Sequence, residues 1–424
     1  MLLIKNGRWL SEDGQIHKGN VLVEGRTIKA VNSKTEGIAA DQVIDAADGI
    51  ILPGAIDTHV HFREPGQLYK EGIANGSRAA LRGGVTTIVD MPNNKPPTST
   101  AKRLHEKIDR FRRKSLVNYG IQFHASADKN MDIPEAAKST KIYMAKSSAL
   151  KAITEVDQLQ AIFAKAPRVA IHAEDETQFD TSPQRSPLHH VNRPRTAVQS
   201  ALGKIRKALG NLPASKRPRV IICHMNTADE VDWLQEMKAD GYDVWGETCP
   251  HYLYFRQDDY VAHGNWFKVN PPIRTQADQA RLREAIQSGI VDFVGTDHAP
   301  HTVEEKHSDA PPSGIAAIEW FVPQMLNLLD EGLLSWADIH RLLTGHAAKA
   351  YDITQRDGIK VGNYADLVII KKQTEGSSGK IQTKVQWNPV KPFHFQWSVQ
   401  TTIVNGIVKY HDQRFLNKVS GQQV

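Results

Sequence analysis

Two imidazoles stand two residues apart in Asp57-Thr58-His59-Val60-His61-Phe62-Arg63-Glu64-Pro65-Gly66. In an extended chain successive side chains alternate faces, so His59 and His61 point the same way and suit one metal ion. Three more ligand-type side chains also close apolar runs. His172 follows Val169-Ala170-Ile171, His224 follows Val220-Ile221-Ile222-Cys223, and Asp297 follows residues 291–296 and opens Asp297-His298-Ala299-Pro300-His301. Imidazole and carboxylate donors suit zinc and related divalent ions, and hydrolytic catalysis needs an ion with an open coordination position. Five ligands exceed what one such ion would use, which indicates two ions sharing an anionic bridge. Each residue alone is equally a satisfied core or helix-cap residue; their matching locations carry the reading.

Lys141, in Thr140-Lys141-Ile142-Tyr143-Met144-Ala145, is the candidate bridge. A lysine inside a strand would bury a cation beside metal ions, which is costly unless its charge is changed. Reaction of a neutral amine with carbon dioxide gives a carbamate, an anion whose two oxygens can span two ions. The alternative from the residues alone is a lysine at the strand edge with its amine in water, with Lys138 and Lys146 close enough in sequence to be confused with it.

The elements that must position these residues are legible as repeated apolar runs. Residues 50–61, 85–91, 117–124, 140–145, 169–172, 220–224, 242–251 and 291–301 read as eight strands, several ending in ligand-type residues. Between them, residues 101–111, 149–163, 228–237 and 277–286 have helical apolar spacing. Strands and helices in alternation, with polar residues delivered to one end, predict an α/β protein, a (β/α)8 TIM-type barrel with its chemistry at the carboxyl-terminal mouth. Short β-type runs near both ends of the chain (2–4, 21–23, 27–31, 365–370 and 401–408, with a hairpin at Val23-Glu24-Gly25-Arg26) are too few at either end to bury a sheet alone. They predict one small β-sandwich domain built from both termini, residues 1–52 and 351–424, flanking a barrel of residues 53–350. Glu375-Gly376-Ser377-Ser378-Gly379 reads as a surface loop.

Composition narrows the function classes. With 40% hydrophobic and 24% charged residues among 424, the chain is an ordinary globular protein. No segment is apolar for long enough to span a bilayer, and the first ten residues lack the long apolar stretch of a secretion signal, so no membrane partner and a cytoplasmic setting are expected. Cys223 and Cys249, both inside predicted strands, form no disulfide framework. A net charge of +6 is modest for this length, and Arg110-Phe111-Arg112-Arg113-Lys114 reads as a solvated helix end, so no nucleic-acid partner is inferred. A small-molecule substrate remains, with steering of anions favoured by the positive excess.

Across nearly the whole chain the motifs resemble the cyclic amidohydrolases, and within that family the dihydroorotase branch. The resemblance lies in the block at 57–66, Val89-Asp90-Met91-Pro92-Asn93, Ile171-His172-Ala173-Glu174, Cys223-His224, Glu247-Thr248-Cys249-Pro250-His251, Val269-Asn270-Pro271-Pro272, residues 295–301, and Thr402-Ile403-Val404-Asn405-Gly406. It implies reversible cyclisation of N-carbamoyl-L-aspartate to (S)-dihydroorotate in pyrimidine biosynthesis. It further implies two zinc ions, one held by His59, His61 and Asp297 and the other by His172 and His224, with Lys141 carboxylated between them. Arg63, Asn93 and His301 would bind the substrate carboxylate, Asn270 would lie near the ring, and Ser147 and Ser148 would offer loop hydroxyls. For those two serines an ordinary helix cap is the alternative. A hydroxide shared by the ions would attack the ring amide, with Asp297 as general acid and base. Assembly as a homodimer and association with aspartate transcarbamoylase are also implied.

The chain departs from that branch at Thr344-Gly345-His346-Ala347-Ala348-Lys349, where Asn-Pro-Ala is common. His251 and His298 are expected to pack beside the site without holding metal. The rival readings are a sister enzyme acting on a neutral ring, such as allantoinase or a dihydropyrimidinase, and an inactive dihydroorotase-like structural partner. Arg63 argues against the first, and the complete ligand set against the second.

Overall fold

The computed structural model describes all residues except 33–37, 129–130, 148–150, 374–379, 391–394 and 417. Eight strands, Ala55–Val60, Val85–Asp90, Asn118–His124, Ser139–Tyr143, Arg168–His172, Arg219–Met225, Val244–Thr248 and Phe293–Val294, pair in chain order, each parallel to the next. A parallel bridge between Val60 and His298, with the His61 amide donating to the His298 carbonyl at 2.8 Å, joins the last strand to the first. This is the expected barrel. Its strands are almost wholly buried because helices cover the outside and side chains fill the inside.

The interior is packed with Ile56, Val89, Ala170, Ile221, Cys223, Phe293 and Tyr351. Tyr351 belongs to the segment that follows the helix His346–Ala350 and stops the amino-terminal end of the barrel. The departure at 344–349 therefore falls at the end opposite the mouth, where the Thr344 hydroxyl donates to the Gly54 carbonyl at 3.3 Å. Outside, the helices Ala101–Lys114, Ala228–Ala239 and Gln276–Gln287 extend the predicted segments by a few residues, each with a threonine accepting an amide of its first turn.

Nine strands built from both ends of the chain make a second sheet with its own apolar cluster, including Ile4, Val21, Ile51, Leu367, Ile369 and Ile403. The predicted hairpin joins Ile16–Glu24 to Thr27–Val31, and an Asn405-Gly406 turn with positive φ at both residues joins Trp397–Val404 to Ile407–His411. One expectation is corrected here: residues 50–61 are not a single strand. Ile50–Pro53 pairs with Leu367–Lys372 in the terminal sheet, and the chain enters the barrel only at Ala55. Gly54 makes the transfer, since a Cβ there would lie 2.1 Å from the Thr86 hydroxyl oxygen.

The helix expected from residue 149 is also shorter, beginning at Val156. Residues 151–155 are irregular because the Ile153 amide donates to the Tyr143 carbonyl at 2.9 Å, which ties that stretch to the end of a strand. Ser147 is thus no helix cap; Ser148 and the 375–379 loop lie outside the described residues.

Candidate active site

At the carboxyl ends of the strands the pairing becomes irregular where ligand-type residues occur. The ladder slips between Asp57 and Val60 and again between Ile222 and Met225, and His224, Arg63 and Asp297 adopt positive φ of 42°, 61° and 46°. Such backbone costs of order 1 kcal/mol per residue and is retained where the fold must re-aim a side chain. Asp57 holds the first and last strands together here: its carboxylate accepts the Thr296 amide at 2.9 Å and hydroxyl at 2.6 Å. Burial pushes this carboxyl up to about 6.

The resulting cavity, of about 440 Å³, is lined by His59, His61, Arg63, Asn93, Ser147, His172, His224, Asn270, Asp297 and His301. Every described site residue expected from the sequence thus faces one space, except Lys141, which lies beneath it. His59 Nε2 and His61 Nε2 approach Asp297 Oδ1 to 3.4 and 3.1 Å, and His172 Nδ1 lies 3.0 Å from His224 Nε2. The two groups adjoin, the His59 and His224 rings being 5.1 Å apart.

These residues fit metal ions on two counts. Donor atoms about 2.0–2.1 Å from one tetrahedral zinc lie roughly 3.3 Å from each other, close to the spacing here. In addition, three of the four histidines turn one ring nitrogen to a side-chain oxygen acceptor: His59 Nδ1 to Glu247 Oε1 at 2.7 Å, His61 Nδ1 to Asn93 Oδ1 at 2.7 Å, and His172 Nε2 to Glu174 Oε2 at 3.0 Å. In the neutral ring that contact fixes the tautomer and leaves the other nitrogen as a lone-pair donor, the arrangement that orients metal-bound histidines. His59, His61 and Asp297 could hold one ion, and His172 with His224 a second.

Charge follows from the same contacts. Burial opposes protonation of His59, but Glu247 and then Asp297 outweigh burial and the nearby Lys141, and raise the ring to about 10. Burial dominates at His61 and lowers it to about 4. Burial likewise resists ionisation of Asp297, yet His59 and His61 override it and hold the carboxyl well below its usual range.

Lys141 is fully buried, and its amine donates to Cys223 Sγ at 2.9 Å. The alternative of a strand-edge amine in water does not hold. His298 accepts the Ala317 amide on Nδ1 at 3.1 Å and packs beside the site; His251 is buried against Tyr252. Asn93 and Asn270 already have protein partners: Asn93 donates to Ser147 Oγ at 3.0 Å, and Asn270 accepts from His189 Nε2 at 2.8 Å.

Three contributors were not singled out from sequence. Glu247 and Glu174, fully buried, sit behind His59 and His172, and Arg193 lines the cavity while donating to Glu174. The two glutamates lie within quoted motifs, and their position at strand ends was the available signal. Arg193 follows a short helix and gave none.

Residues 50–180 and 221–408 match the model of the amidohydrolase family. The chain belongs to that family, and it is a metal-dependent cyclic amidohydrolase. It is 30% identical to the dihydroorotase of Pyrococcus horikoshii, over 100% of this chain and 95% of that protein, and 30% identical to the dihydroorotase of Lactobacillus gasseri, over 96% and 98%. Among solved structures, the L-hydantoinase (dihydropyrimidinase) of Arthrobacter aurescens superposes with a TM-score of 0.86 at 25% identity, covering 98% of this chain and 97% of that one. Among the described residues, no helix is long and apolar enough to cross a membrane.

Proposed function

We propose that this chain is a dihydroorotase, interconverting N-carbamoyl-L-aspartate and (S)-dihydroorotate. The observation that carries the reading is a buried cation in the same cavity as the histidine and aspartate cluster: Arg63, 8% exposed, beside His301, whose far side meets Lys70. A guanidinium so placed suits a substrate bearing a carboxylate, which its planar fork binds with two donors. A neutral ring would leave it unpaired. The relatives named dihydroorotase support the same substrate class.

In this reading the barrel of residues 53–350 carries the chemistry and residues 1–52 and 351–424 flank it. His59, His61 and Asp297 would hold one zinc, His172 and His224 would hold the other, and Lys141, as its carbamate, would supply an anionic ligand. Carboxylation would remove the buried positive charge that now faces His59 and His224. The two ions, when bound, polarise a carbonyl and lower the pKa of water. Arg63 binds the carboxylate and His301 stands beside it. Asn93 and Asn270 each keep an amide hydrogen for the substrate, since Asn93 spends one on Ser147 and the Asn270 contact uses only its oxygen. Asp297, kept ionised by its histidine neighbours, takes a proton from the attacking oxygen and passes it to the ring nitrogen that leaves; ring closure runs the transfers in reverse.

The test is a comparison of purified protein on dihydroorotate, N-carbamoyl-L-aspartate, dihydrouracil, hydantoin and allantoin, with and without a chelator. Chelator-sensitive turnover of the first two is expected. Faster turnover of the neutral rings would replace this reading with a dihydropyrimidinase-type one, which the likeness to the hydantoinase makes the natural second choice.

A further inference from the structure

His301 lies between two cations. Its Nε2 is 3.1 Å from Arg63 Nη2 and its Nδ1 is 2.9 Å from Lys70 Nζ. Guanidinium and ammonium groups only donate, whereas a neutral imidazole has one lone pair. The ring can therefore accept from one cation only and must turn an N–H toward the other. Burial first, then Arg63 and Lys70, keep the ring from taking a second proton.

Of the two cations, Lys70 is the better anchored. It is 4% exposed, its ammonium lies 2.9 Å from Glu305 Oε1, and Glu305 in turn accepts the Tyr69 hydroxyl at 3.0 Å. Arg63 lines the cavity, and among the described residues its buried Nε has no partner. With the proton on Nδ1, the ring would set an N–H against the ammonium, with Glu305 Oε2 more distant at 3.4 Å. With the proton on Nε2, Nδ1 accepts from Lys70 at the shorter distance. Nε2–H of the ring, which also meets backbone at Ser313, and the Arg63 guanidinium then stand side by side at the cavity, a two-donor cradle that a carboxylate would complete.

We infer that Lys70 is a positioning residue: held by Glu305, it fixes His301 as an Nε2–H donor, so that His301 and Arg63 together grip the substrate carboxylate. This rests on the carboxylate-bearing substrate proposed above and adds a residue outside the cavity lining to its recognition. Lys70→Met removes the donor to Nδ1, whereas Lys70→Gln keeps a neutral N–H that can make the same contact.

The experiment measures kcat and KM of the metal-loaded full chain on dihydroorotate and on its carboxamide, together with the ring 15N shifts of His301. Expected is a KM for dihydroorotate raised roughly tenfold to a hundredfold in Lys70→Met, as for loss of one charge-linked hydrogen bond, with kcat little changed. Lys70→Gln should recover most of the loss, and the carboxamide should be indifferent to both. The 15N shifts should show Nε2 protonated in the parent chain and Nδ1 protonated in Lys70→Met. An unchanged KM in Lys70→Met, equal losses on acid and amide, or a parent ring protonated on Nδ1 would each overturn the inference. Should Lys70→Met fail to fold, Lys70→Gln and the parent spectrum still decide. A parent chain inactive on both carboxylate substrates would sink the functional reading alone, because the tautomer is read without substrate.

Discussion

Metal binding should expel a proton from His59, and the amount can be worked out. With its pKa raised to about 10, the ring is essentially fully protonated at pH 7 before an ion binds, and a protonated nitrogen cannot ligate. His61, lowered to about 4, and Asp297, held ionised, have no proton to give. A histidine at the ordinary value near 6.5 would be only about one-quarter protonated at pH 7. Since Glu247 is the main upward influence on His59, Glu247→Gln should reduce the release by roughly three-quarters of a proton or more. Protons from metal-bound water contribute to both proteins and cancel in the difference.

The assay is calorimetric titration with zinc at pH 7 in buffers of different ionisation enthalpy, without bicarbonate, so that the slope counts protons. The sign is fixed: a ring protonated throughout pH 6–8 makes zinc affinity rise about tenfold per pH unit, where an ordinary histidine would flatten above its pKa. Equal proton release by the parent and Glu247→Gln would refute the reasoning. So would a parent affinity that levels off above pH 7.

Three other outcomes are expected. Asp297→Asn should retain much of the bound zinc and lose turnover by roughly 10²–10⁴-fold, measured by steady-state kinetics beside metal analysis; near-parent turnover would remove its role in proton transfer. Intact mass of protein prepared with bicarbonate should exceed the sequence mass by one carbon dioxide, and Lys141→Ala should lose that increment; an increment surviving the substitution would place the modification elsewhere. Phe293→Ala, which empties a fully buried site inside the barrel against Tyr351, should cost about 3–5 kcal/mol in urea unfolding, provided that unfolding is two-state.

The apolar runs and their terminal ligands were legible because they are local: side-chain alternation sets the faces of a strand, and a buried parallel strand needs a continuous apolar stretch. His59, His61, His172, His224 and Asp297 stand out on that basis, and so does a two-part terminal β domain. What misled was also local. Residues 50–61 are apolar throughout, so the passage from one sheet to another at Gly54 leaves no mark in hydrophobicity. The helical spacing of 149–163 likewise did not show that the Tyr143 carbonyl captures the Ile153 amide.

By itself the sequence determined which residue types sit at strand ends, and hence the barrel and the class of chemistry. Only the tertiary structure decided how they are charged and aimed. His59 gains its carboxylate from Glu247, 188 residues away, and His301 gains the Lys70 ammonium across 231. Those pairings depend on closure of the barrel, which brings the first strand beside the last. A proton's position on an imidazole is set by the atoms within hydrogen-bonding distance, whatever their separation along the chain.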